Sequence, residues 1–239
     1  MTGGDLRRVA ASSLVFCLLN ACGVAPPVDR TVDTTKIPIT TCSDKARDAF
    51  LKARWLSENL RMTDAHEYFL KAVEADPEFA MAHLGVANTA STNQEFFEAF
   101  RRAVETSTNA SEGERFLIAV TEANLAGQPE VQQANLEALV TLFPEDERAH
   151  NLMGNFLFFN QQDYERAISS YRKAIEINPR FTKAFVSLSM LYLNYDYPEA
   201  AMRVLQTGVA INDNSAEAHN TLGVAYQFLK QYEKAITSF

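Results

Sequence analysis

The 239-residue chain is short of what tight turns, disulfide scaffolds and polyanion binding require. With 9 Gly and 8 Pro it lacks the turn residues of a sandwich or barrel built from many short strands. Its three cysteines show no CxxC or Cys/His metal spacing, which argues against a zinc ribbon or a multi-disulfide framework. Lys and Arg number 22 against 30 Asp and Glu, a net charge of -8. The basic field demanded by phosphate backbones is therefore missing, and nucleic acid is not expected as a partner. The phosphate loop GxxxxGK[ST], the dinucleotide loop GxGxxG, GxSxG and HExxH are all absent, leaving no support for those enzymes and no sign of a cofactor or small-molecule substrate. What is present is 47% hydrophobic and 10% aromatic residues, enough for a real core, in a composition that reads as mostly helical.

The chain begins like an exported one. Arg7 and Arg8 precede the apolar stretch Val9 to Leu19, and small residues close it, as in a secretory signal. Ser12 and Ser13 interrupt that stretch, which is too short for the roughly 20 residues of a membrane-spanning helix. Leu19, Asn20, Ala21 and Cys22 resemble the bacterial lipobox, although Asn20 departs from the small or β-branched residue usual there. The resemblance implies removal of residues 1–21 and lipidation of Cys22. Gly23 in place of the Asp that retains such proteins at the inner membrane implies the outer membrane, facing the periplasm. Residues 22–42 hold three prolines and many threonines without helical periodicity, and so form an extended tether. Cys17 then leaves with the signal, Cys22 carries the lipid and Cys42 is left alone, with no intrachain disulfide expected.

From Ala46 onward the chain repeats itself at a period of 34 residues. Small residues recur at Ala53, Ala87, Val120, Gly154, Ser189 and Gly223, where only Val120 is not tiny, and again at Ala65, Ala99, Gln132, Ala167, Ala201 and Ala235, where Gln132 is the exception. Two helices approach closely only over small side chains, so these series mark helix crossings. Bulkier residues, Phe69, Leu136, Tyr171, Leu205 and Phe239 with the undersized Ala103, face inward from the second helix. Pro77, Pro144 and Pro179 punctuate the units, as residues that cannot continue a helix. The fragments GNFLFFNQQDYERAISSYRKAIEINP and LGVAYQFLKQYEKAITSF resemble the tetratricopeptide repeat in their small-aromatic-Ala-Ala-Pro skeleton. The resemblance implies an all-α, right-handed superhelical solenoid of antiparallel helix pairs over residues 43–239. Six units are expected, at 46–79, 80–112, 113–146, 147–181, 182–215 and 216–239. The third matches least and is placed by Gly127 and Pro144. Gly154 to Asp163 is one residue longer than the family spacing, so an insertion is expected in that turn. The last unit stops inside its second helix at Phe239, from which more repeats or another domain are expected to follow.

His83, His150 and His219 occupy one helix slot of alternate units, too far apart for a shared metal ion, and are expected to pack. Paired carboxylates such as Glu145 with Asp146, or Glu112 with Glu114, suit helix starts better than acid-base chemistry. What remains is a concave face lined by the first helix of each unit. By resemblance its lining residues are Arg148, Asn151, Asn155, Phe158 and Phe159, then Lys183, Val186, Met190 and Leu193, with Asn220, Val224 and Phe228 beyond. Asparagines can bond a peptide backbone, and Phe and Met give adaptable apolar contact; equally, Asn151 and Asn155 can serve the fold itself and Phe158 and Phe159 can simply pack. The carboxylate clamp of chaperone-binding repeats is matched only at Asn155 and Lys183. The expected function is a non-enzymatic, lipid-anchored scaffold that binds a protein or peptide in the bacterial envelope. The alternative is the recruiting arm of a longer enzyme.

Overall fold

A computed structural model of the chain describes residues 35–59 and 61–211, together with positions 219, 222, 223, 226, 231, 234, 235 and 237. The export signal, Cys22, most of the tether, Asn220, Val224, Phe228 and Phe239 lie outside the described residues. Among the described residues ten α-helices follow one another without a strand. They are α1 (Asp44–Glu58), α2 (Met62–Ala75), α3 (Ala80–Thr89), α4 (Asn93–Thr106), α5 (Glu112–Leu125), α6 (Pro129–Leu142), α7 (Glu147–Phe156), α8 (Tyr164–Ile177), α9 (Thr182–Asn194) and α10 (Pro198–Ile211). Each odd-numbered helix is the first of a unit, and it starts within two residues of the expected boundary.

Local chemistry sets these boundaries. Ser43, Thr92, Ser111, Asp146 and Asp163 each accept a backbone N–H from the first turn that follows, and Ser111 with Glu114 forms a reciprocal capping box. Pro129 starts α6, where its missing N–H costs nothing, and Gly127 supplies the left-handed residue (φ 63°) that ends α5. Packing then follows the two small-residue series. Ala53, Ala65, Ala167, Ser189 and Ala201 are fully buried, and only Gln132, the exception already visible in the pattern, is half-buried. A methyl group at Gly154 would stand 2.6 Å from the ring of Tyr171, so the glycine is what lets α7 and α8 close on each other. The core runs as one cluster from Ile37 to Leu191, and Val186, Leu205, Leu222, Tyr226 and Ala235 form the next.

Three expectations change. The extra residue between Gly154 and Asp163 is not inserted in the turn but absorbed in the helix, where α7 continues as a π-helical turn over Leu157–Gln161 and ends at left-handed Gln162 (φ 54°). A π-turn keeps the backbone hydrogen-bonded while shifting the register, so Leu157 and Phe158 both reach the core and Phe159 turns outward. Second, residues 35–41 are extended but do not stand off the repeats: they lie against α1, α5 and α7, and Ile37 is buried in the core. Third, Cys42 is not a lone thiol but disulfide-bonded.

Candidate binding groove

The solenoid bends so tightly that the end of α1 meets the start of α9. Thr182 Oγ1 donates to Asn59 Oδ1 at 3.3 Å and Lys183 Nζ to Ser57 Oγ at 3.1 Å, across more than 120 residues of sequence. α1 is thereby brought against the face that the first helices line, and its Arg54 and Glu58 enter the same electrostatic neighbourhood as Asp146, Glu147, Arg148 and Lys183. The family resemblance implies Arg148 and Lys183 on this face. Asp146 stands out in the sequence only as a helix-start carboxylate, and Arg54 and Glu58 carry no signal at all, because a period along the chain does not tell how far the superhelix curls.

The cluster is not uniform. Asp146 is fully buried and well served: Oδ1 accepts from the Arg148 backbone N–H (3.0 Å) and Nε (2.9 Å), Oδ2 from Arg148 Nη2 and the Ile37 N–H (3.0 Å). Burial works to raise its carboxyl, but the Arg148 charge and these donors outweigh it and hold Asp146 below the ordinary range. Glu147 is likewise held low against its burial by Lys36 Nζ (2.9 Å) and Asn178 Nδ2 (3.0 Å). Glu58 goes the other way. Its burial dominates, with Arg54 at 3.8 Å as a loose partner, and pushes its carboxyl up; burial likewise pushes Lys183 down.

The expected groove residues sort by how the fold uses them. Arg148 is committed to Asp146, and Lys183 reaches Ser57. Asn155 Oδ1 accepts the Tyr171 hydroxyl at 2.8 Å, satisfying a phenol whose ring is buried in the core. Phe158 and Val186 are buried, and Leu193 is half-buried. Asn151 is 6% exposed and its Oδ1 has no hydrogen-bond partner. Phe159 (66% exposed) and Met190 (45%) are open to solvent. The Phe159 ring packs at a tilt, 4.4 Å from that of Phe158, which continues through Tyr164 to Tyr195 as a chain of aromatic rings at the turns between helices.

His83 and His150 do the same job in their two units. Each ring Nε2 lies 2.8–2.9 Å from the carbonyl of the proline six residues earlier, Pro77 or Pro144. A carbonyl only accepts, so Nε2 carries the proton and ties the helix to the preceding unit boundary. Among the described residues no group of His, Cys, Asp and Glu is placed to hold a metal ion. Two open hollows of about 480 and 430 Å³ lie along α8, and neither includes an expected groove residue.

Paired helices stacked over small residues, with the first helices turned inward, define a helical-repeat solenoid. Models of the tetratricopeptide repeat match residues 126–180, 158–224 and 216–239, so the repeats there are tetratricopeptide repeats. Anaphase-promoting complex subunit 3 of Schizosaccharomyces pombe is 33% identical over 97 residues, 41% of this chain but only 14% of that protein. Among solved structures, one from the Cut9-Hcn1 hetero-tetramer of the same complex aligns with a TM-score of 0.54 at 21% identity, covering 81% of this chain and 39% of that one. PilW, a type IV pilus biogenesis factor, aligns with a TM-score of 0.50 at 15% identity, covering 82% and 91%. These likenesses fix the fold as a solenoid of tetratricopeptide type.

Proposed function

We propose that the chain is a non-enzymatic scaffold that takes an extended or helical segment of a protein partner on its first-helix face. The observation that carries this is the exposure of Phe159 and Met190, two positions of that face that the fold leaves open. Phe159 and Met190 supply exposed, adaptable apolar surface from the same series of positions, whereas Arg148, Asn155 and Lys183 serve the fold. The test is selection of peptides on the purified chain, followed by Phe159→Ser with Met190→Ser. Affinity should fall about tenfold or more with helical circular dichroism unchanged, and unchanged affinity would sink the assignment.

The second part of the reading is a lipid anchor at Cys22, placing the scaffold in the bacterial envelope at the outer membrane and facing the periplasm. It rests on the lipobox resemblance. A sulfur that carries the lipid thioether cannot also carry a disulfide, and Cys17 and Cys22 are the two other cysteines of a chain in which Cys42 is disulfide-bonded. Mass spectrometry of the native N-terminus separates the two chemistries: an acylated Cys22 supports the anchor, and a Cys22–Cys42 disulfide removes it. Among the described residues no helix is long and apolar enough to cross a membrane. The alternative, a recruiting arm of a longer enzyme, is not favoured by the matches.

A further inference from the structure

Residues 35–41 run along the edge where the first helices begin, and the repeats hold them as a receptor holds a peptide. The Ile37 N–H donates to Asp146 Oδ2 (3.0 Å) and the Thr40 N–H to Glu114 Oε1 (2.9 Å), so two main-chain amides are read by carboxylates more than 70 residues away. Lys36 Nζ pairs with Glu147 at 2.9 Å. The Glu145 N–H donates to the Thr35 carbonyl (3.3 Å), Arg47 Nη1 to that of Ile39 (3.1 Å) and Nη2 to that of Thr41 (3.3 Å), and Thr41 Oγ1 reaches Asp76. Ile37 is 4% exposed, in a slot floored by Gly113, where a methyl group would stand 3.0 Å from its Cγ2 and 2.6 Å from the Phe143 ring.

The acceptors are fixed independently of the segment. Asp146 is held by Arg148, and Glu114 Oε2 is bonded by the Ser111 N–H and hydroxyl, both at 2.8 Å. A site whose readers stay in place when the ligand leaves is pre-organised for binding. The chemistry it reads is specific: an extended backbone, a cation answered by Glu147, and one aliphatic side chain the size of Ile in a closed slot.

We propose that this edge is a peptide-binding site, separate from the first-helix face, that takes an extended segment of a partner protein carrying a cation followed by a buried aliphatic residue. Residues 35–41 are its resident competitor. The acidic lining matches a cationic segment, and the tethered copy lowers the apparent affinity for any other by the fraction of time the edge is covered.

The probe is a fluorescent peptide of sequence TKIPITT, used with the full chain. Lys36→Glu with Ile37→Asp should uncover the edge and raise peptide affinity about tenfold or more over the unaltered chain. In that background Glu147→Lys should reverse the preference, binding TEIPITT better than TKIPITT, an exchange that a merely structural segment would not produce. A variant that keeps its helical circular dichroism but gains no affinity overturns the proposal. Should the double variant lose its fold, the unaltered chain decides: excess peptide should speed hydrogen exchange at the Ile37 and Thr40 amides several-fold by displacing the resident segment, and no change overturns the site. A concentration-dependent dimer that Glu147→Lys dissolves would make a second copy the occupant and overturn the partner reading.

Discussion

The two edges of this solenoid are built on opposite principles. Where the first helices begin, the side chains are charged and buried: Glu114, Asp146 and Glu147 are 1%, 0% and 8% exposed. Where the first helices hand over to the second, the side chains are aromatic and open, with Trp55, Phe97, Phe159 and Tyr197 each about half exposed or more. A carboxylate at a helix start faces the positive end of the macrodipole and free N–H groups, so it can be buried if other donors complete its shell. Here Lys36, the Ile37 and Thr40 amides and Arg148 complete it. An exposed aromatic ring needs no such shell of donors: Trp55 keeps Lys52 over its face and Phe159 keeps Phe158 beside it, and the rest of each ring is open contact area. One edge is thus closed by buried charge around residues 35–41, and the other presents open aromatic area.

The sharpest way to break the contrast is Asp146→Ala, which strips a buried carboxylate from Arg148 and from the Ile37 amide. Leaving Arg148 buried and unpaired should cost about 3–5 kcal/mol in urea denaturation. Acid should act on the same group. Asp146 is held below its unfolded value, so its stabilisation is complete above about pH 4 and is lost as the pH falls through the folded value; Glu147 acts with the same sign. Acid melts followed by circular dichroism should show the unaltered chain losing stability in that window, and Asp146→Asn should flatten the slope.

Gly113→Ala attacks the polar edge from below. Its methyl group meets the Phe143 ring and Ile37, so about 1–3 kcal/mol should be lost, with faster tryptic cleavage after Lys36 as residues 35–41 lift. Glu58→Gln sharpens the comparison by inverting it. Burial raises the Glu58 carboxyl, so its contribution is favourable below the unfolded glutamate value of about 4.3 and is lost as the pH rises through the folded value. The neutral isostere should therefore leave the melting temperature at pH 7 unchanged or slightly higher, against the large fall at Asp146. Smallest of all on stability, Phe159→Ser with Met190→Ser at the open positions should stay within about 0.5 kcal/mol, while its effect appears in binding.

Legibility in the sequence followed the range of the interactions. Helix starts, unit boundaries and the helix crossings at Ala53, Ala65, Gly154, Ser189 and Ala201 were readable, because capping and close approach depend on residue size and position within one or two helices. The π-turn was visible as one surplus residue but was misplaced, since spacing counts residues and does not say whether helix or loop absorbs them. Residues 35–41 read as tether from Pro38 and their threonines, although Ile37 and Ile39 alternate with Lys36, Pro38 and Thr40 as a strand-like segment would. Of the groove residues, Asn155 can by its sequence either bond a peptide or serve the fold, and the structure gives it to Tyr171, a contact within one unit that neither residue type announces.

By itself, then, the sequence determined the repeat, its helical register and where each unit begins and ends, because these are set by local capping and nearest-neighbour packing. Tertiary structure alone decided that α1 meets α9, that Asp146 is shared between Arg148 and an amide 109 residues away, and that one edge closes while the other stays open. Those outcomes depend on small rotations summed over five units, and no single stretch of sequence carries that sum.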